Sequence, residues 1–287
     1  MTNPLQNYFR KPEIYMKLPS QGRWYPPGVL ELNEAGEVGI MAMTARDEMI
    51  VRTPDALLNG QATVDVIKSC VPAISDPWCI PQMDIDTILL GIRIATYGSG
   101  MDFTTAPPGI ALTQEVKVDL NKLVSMIKIG NYNDTVRLSN GLTLKTKPGD
   151  YRAFTRSAMK TYEEQRMLRT IQDSTLSESE KVQKFTKIFT DLSDMSVDVM
   201  SSMIIQVQTP DSDPVTDPIH IKEFVFNMDT KIADEIKAHV ATNGQIGRIP
   251  PIDVESSQEQ IKAGAPEKYS TSIAFDNSNF FAYKSSR

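Results

Sequence analysis

The chain is poor in the residues that most protein chemistry uses. It holds two cysteines, Cys70 and Cys79, and two histidines, His220 and His239, among 287 residues. Two cysteines do not frame a disulfide scaffold in a chain of this length, and reduced, partly buried thiols of the cytoplasmic kind are the expectation. No CxxC and no HExxH spacing occurs, and the two histidines fall in different predicted elements, which disfavours a zinc site built from these four residues. Neither histidine stands near a Gly-x-Ser-x-Gly elbow, so no catalytic triad is suggested. Gly98, Gly100 and Gly244 lack the context of a phosphate-binding loop. An excess of cations is also missing. The formal charge is −6 and the pI about 5.1, which argues against nucleic acid and against a polybasic membrane surface as partner, because both depend on Lys and Arg meeting phosphates. No apolar run is long enough to cross a bilayer. The longest, Ile85–Ala95, contains Asp86 and Arg93 and reads as a core helix. The first ten residues show no apolar stretch of the signal-peptide kind.

What is present is ordinary for a globular chain: 40% hydrophobic and 23% charged residues, enough to build a core without covalent staples. The length suits one large or two small domains. The patterning predicts an α+β fold in five segments: an arm with small strands over 1–43, a helical core unit over 44–100, a β-rich finger and hairpin over 101–150, a helical domain over 151–244, and a loop with a final strand over 245–287.

The 44–100 unit has the clearest start and stop signals. Thr53 can cap a short helix with Pro54 in its first position and Asp55 near the positive end of its dipole, and Gly60 can end it at positive φ. A second helix fits Ala62 to Cys70, with Val66, Ile67 and Cys70 on its apolar side and Pro72 stopping it. In the third, Ile85, Ile88, Leu89, Ile92 and Ala95 recur at helical spacing, Asp84 or Asp86 caps the start, and Gly98 closes the end. Helix capping accounts for both aspartates without a ligand. Asp84 with Asp86, or Glu163 with Glu164, could also pair as acid and base, and a hydrolase using Asp84 or Asp86 is the competing reading.

Before this unit, residues 1–17 read as a polar arm leading into a strand. Val29–Leu32 and Glu37–Met43 read as a hairpin around Asn33–Gly36, and Met49–Val51 as a further strand. Within the turn-rich stretch Leu18–Gly28, Trp24 reads as a core or interface anchor. After the unit, Val116, Val118 and Leu120 alternate as in a half-buried strand, and Leu120–Ile127 suits a short helix. Thr135–Lys145 reads as a hairpin with a three-residue loop, Gly141 being left-handed and Val136 opposite Leu144. Asp150 caps a helix to about Gln172, with an apolar stripe of Tyr151, Phe154, Ala158, Tyr162, Leu168 and Ile171. Arg152, Arg156, Lys160, Arg166 and Arg169 lie mostly off that stripe, as a solvated face or a contact for an acidic partner. Ser177 and Glu180 form a capping box that opens a helix through Leu192. Further helices fit Val197–Val207, Pro218–Asn227 and Thr230–Ala241. Ile246–Glu259 reads as loop and Tyr269–Phe275 as a strand, followed by the apolar tail of Phe280, Phe281 and Tyr283.

Two blocks carry a likeness. RTPDALLNGQATVDVIKSCVP at Arg52–Pro72 and LPSQGRWYPPG at Leu18–Gly28 closely resemble, in order and spacing, blocks of the baseplate hub proteins of T-even-like contractile-tailed phages (myoviruses). The likeness is close over residues 18–100 and looser beyond. Many members of that family carry two CxxC pairs of zinc-ribbon type. The matching stretches here, Ala106–Gly109 and Ala263–Lys268, contain no cysteine, although Phe275, Asp276, Phe280 and Phe281 stand where the family's last strand has them. The resemblance thus implies a ribbon-like finger and final strand kept without metal, and no cofactor. It implies a non-enzymatic hub component or hub-assembly factor, working by contacts with other phage tail proteins, in the host cytoplasm during assembly and in the virion tail. It leaves a homo-oligomer within the hub open. The contact residues it points to are Arg23, Trp24 and Tyr25 in the first block, Arg152 and Arg156 on the basic helix, and Phe280 and Phe281 in the tail. The purified protein is accordingly expected to contain no structural zinc, and about one zinc per chain by elemental analysis would contradict that.

Overall fold

The computed structural model describes residues 5, 8–52, 60–172, 177–210 and 213–273. The fold is α+β, with helices between small antiparallel sheets. The chain forms two units. One holds Met1–Pro77, Met83–Gly130 and Ile246–Arg287; the other holds Trp78–Gln82 and Asn131–Gln245.

The first unit is built around one helix. β1 (Ile14–Met16) pairs antiparallel with β2 (Val38–Ile40), Ile14 opposite Ile40. α1 (Ala45–Val51) packs on α2 (Gln61–Cys70), and α3 (Gln82–Tyr97) follows. α3 buries Ile88, Leu90 and Ile92 completely, and α2 does the same with Val66, Ile67 and Cys70. α2 matches the expected helix to within one residue; α3 ends before Gly98 as expected but begins at Gln82, ahead of either aspartate read as its cap. Gly60 has the expected positive φ of +74°, and it enters α2. The helix expected to begin at Thr53 lies outside the described residues.

Three local expectations fail in this unit. Met49–Val51 is helical, since Thr44 and Asp47 form a capping box that starts α1. Asn33–Gly36 does make a tight turn, but its flanks do not pair. Glu31 N–H donates to Ala73 O and Ser75 N–H to Val29 O, while Val38 and Ile40 turn to β1, where both are fully buried. Asp84 is not a helix cap. It lies inside the first turn of α3, and its carboxylate is used elsewhere.

The rest of this unit is two hairpins. β3 (Gly100–Thr105) pairs with β4 (Gln114–Asp119), which runs into α4 (Leu120–Met126) as expected. β8 (Ile252–Glu255) pairs with a later strand, Lys268–Thr271, across a short helix, Gln258–Lys262. The reading of 246–259 as loop is thus corrected, and the final strand is described as far as Thr271. These hairpins enclose the two cysteine-free stretches, and polar side chains join them. Gln260 Nε2 donates to Leu112 O at 2.8 Å, Gln114 Nε2 to Glu255 O at 2.8 Å, and Thr105 Oγ1 to Thr271 Oγ1 at 3.2 Å.

The second unit has a three-stranded sheet in the order β5 (Thr135–Arg137), β6 (Thr143–Thr146), β7 (Ile204–Gln208). The β5–β6 turn is the expected three-residue loop, with Val136 opposite Leu144 and Gly141 at φ +88°. Two long helices, α5 (Tyr151–Gln172) and α6 (Glu178–Met203), leave and rejoin the sheet. Asp150 caps α5, and the Ser177–Glu180 box caps α6. The helix expected over Val197–Val207 does not exist as such. α6 runs on to Met203, and Ile204–Gln208 is a strand with Val207 opposite Leu144. A short apolar run of this kind does not reveal its own period. α7 (Pro218–Asn227) and α8 (Thr230–Asn243) match the expected helices and close a core of Leu138, Leu144, Val207, Ile221, Val225 and Ile236. Along the apolar stripe on α5, Tyr151 is buried, whereas Phe154 and Tyr162 are exposed.

Gly91 sits where α3 meets the β1–β2 pair. A Cβ there would stand 2.3 Å from Ile40 Cδ1 and 2.6 Å from Met16 Sδ. Gly91→Val is expected to lower the thermal midpoint, with a cost of about 1–3 kcal/mol for overpacking; an unchanged midpoint would show that these contacts are slack.

Candidate functional site

The stretch Leu18–Gly28 is a loop held at both ends by one buried carboxylate. Leu18 is a core residue, and Ser20 and Asp84 are fully buried. Asp84 Oδ1 accepts from Ser20 N–H at 2.7 Å, and its Oδ2 accepts from Ser20 Oγ at 2.5 Å and from Tyr25 Oη at 2.8 Å. Ser20 Oγ in turn accepts from Gly22 N–H at 3.1 Å, and Pro19 O accepts from Gly130 N–H at 2.9 Å. The residues between these anchors take an unusual path. Gln21 at φ +55° and Trp24 at φ +69° are both left-handed without being glycine. Such conformations cost of order 1–3 kcal/mol each and persist where the surroundings hold them.

The loop carries Arg23 outward. Its guanidinium carbon lies 4.3 Å from the centroid of the Trp24 ring, a cation–π pair on the protein's surface. Arg23 is exposed and Trp24 half-buried. Tyr25 plays a different part: its hydroxyl points inward to Asp84 and serves as an anchor.

Burial sets the electrostatics. Desolvation pushes Asp84 up to about 6; the Ser20 and Tyr25 hydrogen bonds oppose that shift without cancelling it. Burial, together with the Asp84 charge, pushes the Tyr25 hydroxyl well above its usual range. Asp86 is raised by burial and lowered by Arg248, and accepts from Ile249 N–H at 3.5 Å. The two aspartates are two apart on a helix and point to different sides. They form no acid–base dyad, and neither oxygen of Asp84 reaches solvent.

Among the described residues no group of three His, Cys, Asp or Glu is placed to hold a metal ion. The Cys70 thiol is buried and pushed up to about 11, chiefly by desolvation. His239 is lowered by burial and stands within 3.2 Å of Thr146 Oγ1 and Asn243 Nδ2, a packing role. Arg152 and Arg156 are exposed on α5, in the unit that does not contain the loop. Phe280 and Phe281 lie outside the described residues.

A family model for "T4 bacteriophage base plate protein" matches residues 11–247. The chain belongs to that family. The match takes in the loop, its Asp84 anchor and both long helices. Comparison with the curated proteins and with the solved structures gives no match. Sequence reasoning named Arg23, Trp24 and Tyr25 of this loop but not Ser20, whose partner is far along the chain. It also missed the pin formed by Arg10, whose guanidinium donates to Ser69 Oγ at 2.6 Å beside Asp47. The Thr44–Asp47 spacing was the one signal for Asp47.

The raised Asp84 gives a signed pH prediction. Its folded value lies above its unfolded one, so folding takes up a proton. Its contribution is greatest below about pH 4 and is lost as pH rises through about 6. Asp84→Asn should remove that slope in the urea midpoint between these limits. Asp84→Ala should destabilise at every pH, by on the order of 3–5 kcal/mol, because Ser20 N–H and Tyr25 O–H lose their acceptor. An identical slope in Asp84→Asn would overturn the assignment.

Proposed function

We propose that the protein is a baseplate hub component or hub-assembly factor of a contractile phage tail, acting through protein–protein contacts without catalysis. The observation that carries this is the Arg23–Trp24 pair, presented on a strained backbone and locked from beneath by Asp84. A Trp with an Arg on its face is the composition of a binding hot spot, with a large apolar area and a charge that orients the partner. Pre-organisation reduces the entropy lost on docking. The other tail proteins are the partners that fit this reading, met in the host cytoplasm during assembly. The net charge of −6 disfavours nucleic acid. Among the described residues no helix is long and apolar enough to cross a membrane.

The competing reading, a hydrolase using Asp84 or Asp86, finds no accessible base at Asp84. A general base must lie within hydrogen-bond reach of substrate or water, whereas both oxygens of Asp84 are engaged in the interior.

The test is tail assembly in infected cells, with Arg23→Glu or Trp24→Ala in place of the wild type. Each variant should fold with a normal thermal midpoint and give at least tenfold fewer contractile tails, a loss of about 1.4 kcal/mol or more. Normal tail numbers from a folded Trp24→Ala variant would remove the loop from the contact. Mass spectrometry of purified tails then separates the roles: a component stays in the particle, and an assembly factor is absent from it.

A further inference from the structure

The α5–α6 hairpin has too little core for its length. α6 has 26 residues, about 39 Å of helix, and Ile188 is its one buried residue. On α5 the buried positions among the described side chains are Tyr151, Thr155 and Glu164. Glu164 is buried with both carboxylate oxygens lacking a hydrogen-bond partner. A seam of this kind stabilises little, since long helices in proteins are held mainly by burying an apolar face.

The apolar faces exist, but they point outward. On α5, Phe154, Ala158 and Tyr162 recur at i, i+4 and i+8, with Phe154 45% and Tyr162 52% exposed. On α6, Val182 is 61% and Phe189 62% exposed, and Phe226 of α7 is 65% exposed beside them. These three, with Phe185, wall an open groove of about 590 Å³, with Asp194 on its lining. The groove has the form that accepts the apolar stripe of a helix.

Charge selects the occupant. α5 carries Arg152, Arg156, Lys160, Arg166 and Arg169 against Glu163 and Glu164. α6 is of the opposite sign, with Glu178, Glu180, Asp191, Asp194 and Asp198 against three lysines. The basic helix bears a projecting aromatic stripe, and the acidic helix bears the groove. One chain thus holds both halves of a complementary pair, as a two-fold interface requires.

We propose that the hairpin is a self-association surface: the Phe154–Tyr162 stripe of one copy seats in the α6–α7 groove of a second, and reciprocally, to complete a four-helix bundle. This goes beyond the hub reading and does not depend on it. Two grooves are filled at once, and each basic α5 lies on an acidic α6. Packing of this kind is the usual way for paired helical hairpins to bury their faces.

Light scattering on the eluting full-length protein tests this. The wild type should run at twice the 32.0 kDa chain mass at ~10 µM in low salt and move toward monomer as salt rises. Phe189→Glu and Phe154→Glu should each elute as monomer with an unchanged helical circular-dichroism signal. An equimolar mixture of the two should regain dimer, because one wild-type stripe then meets one wild-type groove. A wild type still monomeric at ~100 µM in low salt overturns the proposal. So does a Phe189→Glu variant that remains dimeric, or a mixture that stays monomeric.

Discussion

Asp84 places a carboxylate among side chains that are otherwise aliphatic. Ile85, Ile88 and Leu90 around it on α3 are buried, as is Leu18 at the entrance to the loop. A charge in such surroundings is tolerated only with donors aimed at it. Ser20 supplies two and Tyr25 a third, and both belong to the segment that bears Arg23 and Trp24. The course of the loop follows from the need to satisfy that carboxylate. Left-handed backbone at Gln21 and Trp24 is maintained because both ends of the segment are tied to one side chain of a rigid helix. Even so, desolvation outweighs the hydrogen bonds, and the group remains raised. The arrangement favours a defined loop shape over maximal stability at neutral pH.

The second unit solves a different problem. Its sheet and its two short helices share a well-filled core built on Leu144, Val207, Ile221 and Ile236. The long hairpin beyond that core has no such filling, and its aromatic residues face outward. A baseplate protein is expected to meet neighbours, and surfaces finished by a neighbour look like this: apolar stripes of helical period with a polar border. The loop and the hairpin are distinct kinds of surface. The first is small, rigid and centred on an aromatic–cation pair; the second is long and helical.

Much of the architecture was legible in the residues. Helices α2, α7 and α8 lie close to where their punctuation puts them, α3 ends where Gly98 stops it, and the 135–145 hairpin has the register that its apolar pairs demand. The likeness of two blocks to phage baseplate proteins agrees with the family that the chain belongs to. Several errors share one form. Val29–Leu32 and the end of Val197–Val207 are short stretches whose strand partners are remote, and each was assigned from its own neighbourhood. In the candidate site Arg23, Trp24 and Tyr25 could be named from the turn-rich block, but Tyr25's inward role and Ser20's part could not.

The sequence by itself determined most helix positions, the tight turns, the α+β class and the scarcity of reactive groups. These follow from local sterics, capping and composition, which act within a few residues. Only the tertiary structure decided which strand pairs with which, and that Asp84 anchors a loop 59 to 64 residues away along the chain. It also decided that the α5 aromatics face outward. Those outcomes depend on which distant groups compete for the same interior, and a carboxylate near the start of a helix reads as a cap until the fold carries its donors to it.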